Sequence, residues 1–198
     1  GNREWGIVIR NREVASSFRQ VLQDDWNPLH SDSRLLEAMN TTFFPDVALD
    51  YDIPTGSYVP RFNATTIIDS FMVTPVFSPD TSEQVLLDAI DAATRTIDVQ
   101  QLYIYRDWGE TISPLLQHLV NKSVEGVQVR VILDYNVDHE ETITMLEETR
   151  EYLETYGVEV KFISSDWSPF ITIHNKGMII DNSTVLISSI NWNEQSIR

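Results

Sequence analysis

The sequence predicts an α/β fold: a layered, mixed β-sheet with helices on both faces. Three observations carry this reading. From about residue 67 onward, short apolar runs alternate with segments whose apolar residues recur at helical spacing. The strand-like runs are apolar along most of their length, as in sheets buried between helices. The chain has 198 residues, 42% of them apolar, and five Trp, which is enough for a sizeable core.

Each element follows in order. "WGIVI", Trp5 to Ile9, reads as a short strand. Asn11 is a good N-cap, and Val14, Phe18, Val21 and Leu22 stripe a helix running to Trp26. Residues 27–66 lose periodicity and contain Pro28, Pro45, Pro54 and Pro60, so they read as a connector with one helical turn near Leu35 to Met39. "IIDSFMVTPVF", from Ile67, looks like a strand. Thr81 and Gln84 suggest a capping box before a helix bearing Leu86, Ile90 and Ala93. "TIDVQQLYIY" is a strand. Ile112, Leu115, Leu116 and Leu119 stripe the next helix, with Pro114 in its first turn. "VQVRVIL" is a strand. Ile143, Leu146, Arg150 and Leu153 lie on a helix stopped by Gly157. "VEVKFI" closes the alternation.

The totals narrow the function classes. A net charge of −16 disfavours non-specific binding to nucleic acid or anionic membranes, because such affinity comes from Lys and Arg displacing counterions. Without Cys there are no disulfides, thiolate metal sites or Cys nucleophiles. No run approaches the roughly 18 apolar residues of a membrane span. Asn-x-Ser/Thr sequons begin at Asn40, Asn63, Asn121 and Asn182. Sequons are frequent by chance, so they are only an indication of an exported or cell-surface protein.

The chemistry concentrates in "ITIHNKGMIIDNSTVLISSINWN", Ile171 to Asn193. Side chains two apart on a strand share a face, so His174 and Lys176 are expected to project together. Asp181 and Asn182 offer turn chemistry. A two-residue tip at Asn182-Ser183 would set His174 opposite Asn191 and Lys176 opposite Ser189, with Gly177 and Ser188 on the other face. Four polar groups on an apolar hairpin need a partner, since buried polar groups are costly when unpaired. An oxyanion satisfies them: Lys gives charge, Ser and Asn give neutral donors, and His attacks or transfers a proton. That set suits phosphoryl chemistry. No carboxylate cluster or His pair nearby suggests a metal, and no cofactor is expected. His30, His118 and His139 read as solvated surface residues.

His174-x-Lys176-x4-Asp181, with Ser188-Ser189-x-Asn191 downstream, closely resembles the HxKxxxxD motif of the phospholipase D superfamily. The family usually has Gly where Ser188 stands. "GNREWGIVIRNREVASSFRQVLQDDW" resembles the segment that follows the motif in that family. Members commonly carry two such repeats about a pseudo-two-fold axis. The resemblance therefore implies that residues 1–26 are the C-terminal strand and helix of a preceding repeat. Residues 27–66 are then a connector, and 67–198 a phospholipase D-like repeat truncated just after the motif.

The resemblance also implies a mechanism. One motif's His attacks phosphorus to form a phosphohistidine, and the other's protonates the leaving group. By carry-over His174 is nucleophile or general acid, Lys176 and Asn191 hold phosphate, Ser189 supports them, and Asp181 orders the turn. Glu4 corresponds to the family's supporting acid and would serve the motif of the preceding repeat. The expected function is a phosphodiesterase or phosphatidyltransferase with one of two half-sites on this chain. The other half-site comes from a first repeat or a second copy across a two-fold axis. The expected partner is a phosphodiester, with a phospholipid headgroup favoured over nucleic acid. The alternatives are a DNA or RNA endonuclease of the same superfamily and a non-catalytic interaction module. A further expectation is that the N-terminal strand docks where a strand past Arg198 would lie.

Overall fold

The computed structural model describes residues 6–25, 62, 66–135, 140–164 and 172–198. Contacts divide the chain into two units, Ile9–Pro75 on one hand and Gly1–Val8 with Val76–Arg198 on the other. The helical turn expected near Leu35 to Met39 lies outside the described residues, as do Trp5, Val21's side chain and Trp26.

In the Ile9–Pro75 unit, helix α1 spans Arg12–Asp25. Asn11 caps it as expected: its Oδ1 accepts from the backbone N–H groups of Glu13 (2.9 Å) and Val14 (3.1 Å). Phe18 and Leu22 on its apolar stripe are exposed. Two expected strands are absent. Residues 6–10 form no strand, and neither do 66–77. Ile67, Ile68, Phe71 and Met72 are exposed instead. The reason is physical: an apolar run becomes a strand only when a ladder partner takes its backbone groups. Among the described residues neither segment has such a partner, and Pro75 lacks a donor besides.

The Val76–Arg198 part carries the sheet. Helix α2 (Ser82–Asp91) leads into β1 (Thr96–Gln101). A small hairpin follows, β2 (Asp107–Trp108) with β3 (Thr111–Ile112), then α3 (Pro114–Val124) and β4 (Gln128–Asp134). Helix α4 (Glu140–Thr155) leads to β5 (Glu159–Ile163), and β6 (Lys176–Ile180) pairs with β7 (Thr184–Ser188) before the short α5 (Glu194–Ile197). The sheet order is β5-β4-β1-β6-β7. β1, β4 and β5 run parallel, and β6 is antiparallel to both β1 and β7. This is the layered, mixed α/β architecture that the alternation predicts.

Strand alternation sorts the sheet into two faces. Ile97, Val99, Val129, Val131, Leu133, Met178 and Ile180 form one cluster with Leu86 and Ile90 of α2, Leu115, Leu116 and Leu119 of α3, and Leu146 and Leu153 of α4. Full burial of each such side chain contributes roughly 1.5–3 kcal/mol. The second face carries the ion pairs Arg130–Asp98 (2.6 Å) and Lys161–Glu159 (2.9 Å), with Val185 exposed. Cover of that face, also expected, is not provided by α2, α3 or α4. Gly157 ends α4 at φ +83°, a conformation that favours Gly.

Two local expectations need correction. Thr81 makes no side-chain cap to α2; its hydroxyl bonds back to Phe77 N and O (3.0 and 3.2 Å), and Gln84 donates to Asp88 instead. Ile112 belongs to β3, not to the α3 stripe. The C-terminal turn is tied to α2: Arg198 donates to both Glu83 oxygens (2.7 and 2.6 Å), and Ser82 Oγ donates to Ile197 O (2.9 Å). Among the described residues no helix is long and apolar enough to cross a membrane.

Candidate functional site

The β6–β7 hairpin differs from expectation by one residue. The tip is Asp181-Asn182-Ser183, with Asp181 at φ 51° and Asn182 at φ 55°. Asp and Asn are the non-Gly residues that tolerate this left-handed region best. Lys176 therefore pairs with Ser188, not Ser189. In a strand a one-residue slip moves every side chain to the opposite face. Ser188, expected on the other face, thus shares the face of Lys176. Ser189 lies beyond the end of β7 and is exposed.

His174 also departs from the strand picture. β6 begins only at Lys176, so His174 lies before the ladder and its ring is exposed. Lys176 is 2% exposed, and its Nζ donates to the carbonyl oxygen of His174 at 2.8 Å. A buried ammonium is tolerable only when hydrogen-bonded. Here that bond fixes the backbone from which the imidazole projects. On the other side of His174, Ile173 N donates to Asp134 Oδ1 at 2.7 Å. Asp134 ends β4 and is completely buried. The imidazole is thus held at the surface by two buried charged residues acting on its neighbouring backbone.

Asn191 arrives by a different route from the one expected. No strand pairing sets it against His174, because β7 has already ended at Ser188. Ser188 Oγ accepts from Ile190 N at 3.3 Å, turning the chain. Trp192 then pairs with Ile104, just past β1, and Tyr105 N donates to Trp192 O at 3.3 Å. β7 lies on one side of β6 and β1 on the other. Residues 189–191 must therefore pass the end of β6 where Lys176 sits. Asn191 Oδ1 is buried there without a hydrogen-bond partner among the described residues.

Asp181 lies at the far end of β6, about 17 Å along the strand from Lys176 at roughly 3.3 Å per residue. Its carboxylate accepts from the backbone N–H groups of Thr96 (2.9 Å), Thr94 (2.9 Å) and Arg95 (2.7 Å), and from Thr94 Oγ1 (2.7 Å). These bonds, the Thr96 N–H foremost, hold its pKa far below the usual carboxylate range against the opposing effect of burial. Its geometry is that of a clamp joining the hairpin tip to the start of β1. Glu4 lies outside the described residues.

Sequence reasoning missed three polar residues at the site's end of the sheet. Gln101 ends β1 and is fully buried, Asp134 ends β4, and Asn175 is 3% exposed between His174 and Lys176. The side-chain amides of Gln101 and Asn175 have no hydrogen-bond partners among the described residues. A usable signal existed: a polar residue closing an apolar parallel strand sits where such sheets gather ligands. Of the other His, His118 is not simply solvated: its Nδ1 lies 2.7 Å from Asp91 Oδ1. His30 and His139 lie outside the described residues.

A family model described as cardiolipin synthase, phospholipase D-like domain, matches residues 86–198. No curated protein sequence matches. Among solved structures the chain is similar to Nuc, a phospholipase D family member from Salmonella typhimurium. Identity is 23% over 61% of this chain and 71% of that one, with a TM-score of 0.50. It is also similar to NucT from Helicobacter pylori, with 19% identity over 58% of this chain and 69% of that one, and a TM-score of 0.45. The likeness to Nuc is one of fold.

Proposed function

The chain belongs to the family of cardiolipin synthase, phospholipase D-like domains, and from that premise we propose that it is a phosphodiesterase or phosphatidyltransferase supplying one of two half-sites. The observation that supports this reading is the exposed His174 imidazole held beside a buried Lys176 ammonium. His174 attacks phosphorus, forming an N–P bond as the P–O bond to the leaving group breaks. The leaving oxygen takes a proton from the imidazolium of the second half-site. Water or an alcohol, deprotonated by that second imidazole, then displaces His174 from phosphorus. If His174 is instead the acid, the two imidazoles exchange roles. Lys176, Asn191 and Ser189 hold the phosphoryl oxygens, Asp181 fixes the hairpin, and Glu4 is the candidate supporting acid. The second half-site comes from another repeat or from a second copy of this chain.

A lipid phosphodiester is favoured over nucleic acid. The net charge is −16, and four of the cations outside the motif are matched with neighbouring acids. Arg106 pairs with Asp107 and Glu148, Lys122 with Glu125, Arg130 with Asp98 and Lys161 with Glu159. Nucleic-acid affinity needs such cations available to phosphates.

The test is turnover of a bis-aryl phosphodiester, phosphatidylcholine and single-stranded DNA. It is run on a form containing both half-sites, and on this chain over a range of concentrations. His174→Ala is expected to lower kcat by about a thousandfold or more. Unchanged turnover would sink the role of His174, and preference for DNA would overturn the lipid assignment.

A further inference from the structure

Gln101 ends β1 at the level where β6 begins. Gln100 pairs with Gly177, so the next rung sets Gln101 against Lys176. Residues facing one another across an antiparallel pair share a face, with Cβ atoms about 5 Å apart. On the parallel side Gln101 pairs with Leu133 of β4. The row across the sheet thus runs Leu133, Gln101, Lys176, Ser188. Elsewhere on this face β1 contributes Ile97 and Val99 to the apolar core. A carboxamide in that position is 0% exposed, and neither Nε2 nor Oε1 has a hydrogen-bond partner among the described residues.

Such a residue works against the fold. Burying an amide unpaired is unfavourable, and Met or Leu would occupy the site without that penalty. Unpaired buried polar groups of this kind collect where binding, not folding, is the task. Asn191 Oδ1, brought past the same end of β6, is in the same condition.

We propose that Gln101 is a ligand-binding residue of the half-site. Its Nε2–H donates to a non-bridging oxygen of the phosphoryl group whose charge Lys176 balances. A neutral donor adds direction without adding charge. The inference rests on the phosphoryl reading of His174 and Lys176, and it adds to that site a residue lying well outside the motif.

Inorganic phosphate is the probe, titrated into the chain while the side-chain amide signals are followed by NMR. The Gln101 amide signal is expected to shift on saturation. Gln101→Met is expected to weaken phosphate binding about tenfold, the loss of one good hydrogen bond to an anion. It should also raise the unfolding temperature of the ligand-free protein. A Gln101 signal that stays put at saturation overturns the proposal without any variant. So does Gln101→Met binding phosphate like wild type while Lys176→Met loses it, and in that case the phosphoryl reading stands. A lowered unfolding temperature in Gln101→Met also overturns it, because Gln101 is then a structural residue. Phosphate binding that survives Lys176→Met removes the phosphoryl reading itself, and this inference with it.

Discussion

The Lys176 ammonium donates to the backbone carbonyl of His174 at 2.8 Å, so the motif's cation also anchors the backbone that carries its imidazole. Replacing Lys176 therefore removes a charge and a tether together. Lys176→Met is expected to lower kcat/KM for a phosphodiester by about a hundredfold or more. Lys176→Arg is not expected to rescue it, because a planar guanidinium cannot follow the same buried path to that carbonyl. Steady-state kinetics on both variants decide the point. Activity near wild type in Lys176→Met would discard the assigned role.

Asp181 predicts a dependence on acid. Its folded-state pKa is depressed by the N–H and hydroxyl donors of Thr94 to Thr96. A depressed carboxyl contributes stability that is fully present above its unfolded pKa, about 3.9, and is lost as pH falls toward the folded value. The unfolding temperature should fall below about pH 4, and less steeply in Asp181→Asn, which starts lower at neutral pH. Thermal unfolding from pH 7 to pH 2 measures both slopes. Identical slopes would mean that the clamp does not matter energetically.

Asp134 is the acceptor for the N–H that precedes His174. Asp134→Ala leaves that buried donor unpaired, at a cost of about 1–3 kcal/mol in urea unfolding. Asp134→Asn keeps an acceptor oxygen and should lose less. Equal losses in the two variants would show that this hydrogen bond is not the reason Asp134 matters.

The hairpin register separates two adjacent serines. Ser188 faces Lys176 and accepts from Ile190 N, whereas Ser189 is exposed past the strand. Ser188→Ala should destabilise by about 0.5–1.5 kcal/mol. Ser189→Ala should change stability by less than about 0.5 kcal/mol, yet lose turnover if its hydroxyl donates to substrate. Chemical denaturation together with kinetics reads both. The reverse order of stability losses would restore the register expected from a two-residue tip.

Much of the core was legible because its signals are local. Leu115, Leu116 and Leu119 mark α3 by spacing alone, and the apolar runs of β1, β4 and β5 stand between clear helix stripes. The runs at Ile7–Val8 and Ile67–Met72 look equally apolar, but a strand is a property of a pair, and neither run has a partner among the described residues. The register was lost at the tip: two successive left-handed residues, Asp181 and Asn182, lengthen the turn by one, and sequence does not separate a two-residue from a three-residue tip here. β2 and β3 are two residues each, too short to show a period. His174, Lys176 and Asp181 stand out through their spacing. Gln101 and Asp134 are signalled only as polar residues closing apolar strands, and it is the pairing of distant strands that brings them to that end of the sheet.

The bridge between Ile104 and Trp192 has a consequence for assembly in time. β1, α3 and β4 are neighbours in sequence and pair across one short crossover, whereas the Trp192 contact must close a loop spanning most of the sheet's sequence. Loop closure of that length is disfavoured until the intervening strands are in place. Asn191, carried on that last segment, would then reach the end of β6 only after the rest of the sheet has formed, so a nascent or partly folded chain would hold His174 and Lys176 without Asn191 at that end. Pulse-labelled hydrogen exchange during refolding tests this: the Tyr105 amide, which donates to Trp192, should gain protection after the amides joining β1 and β4.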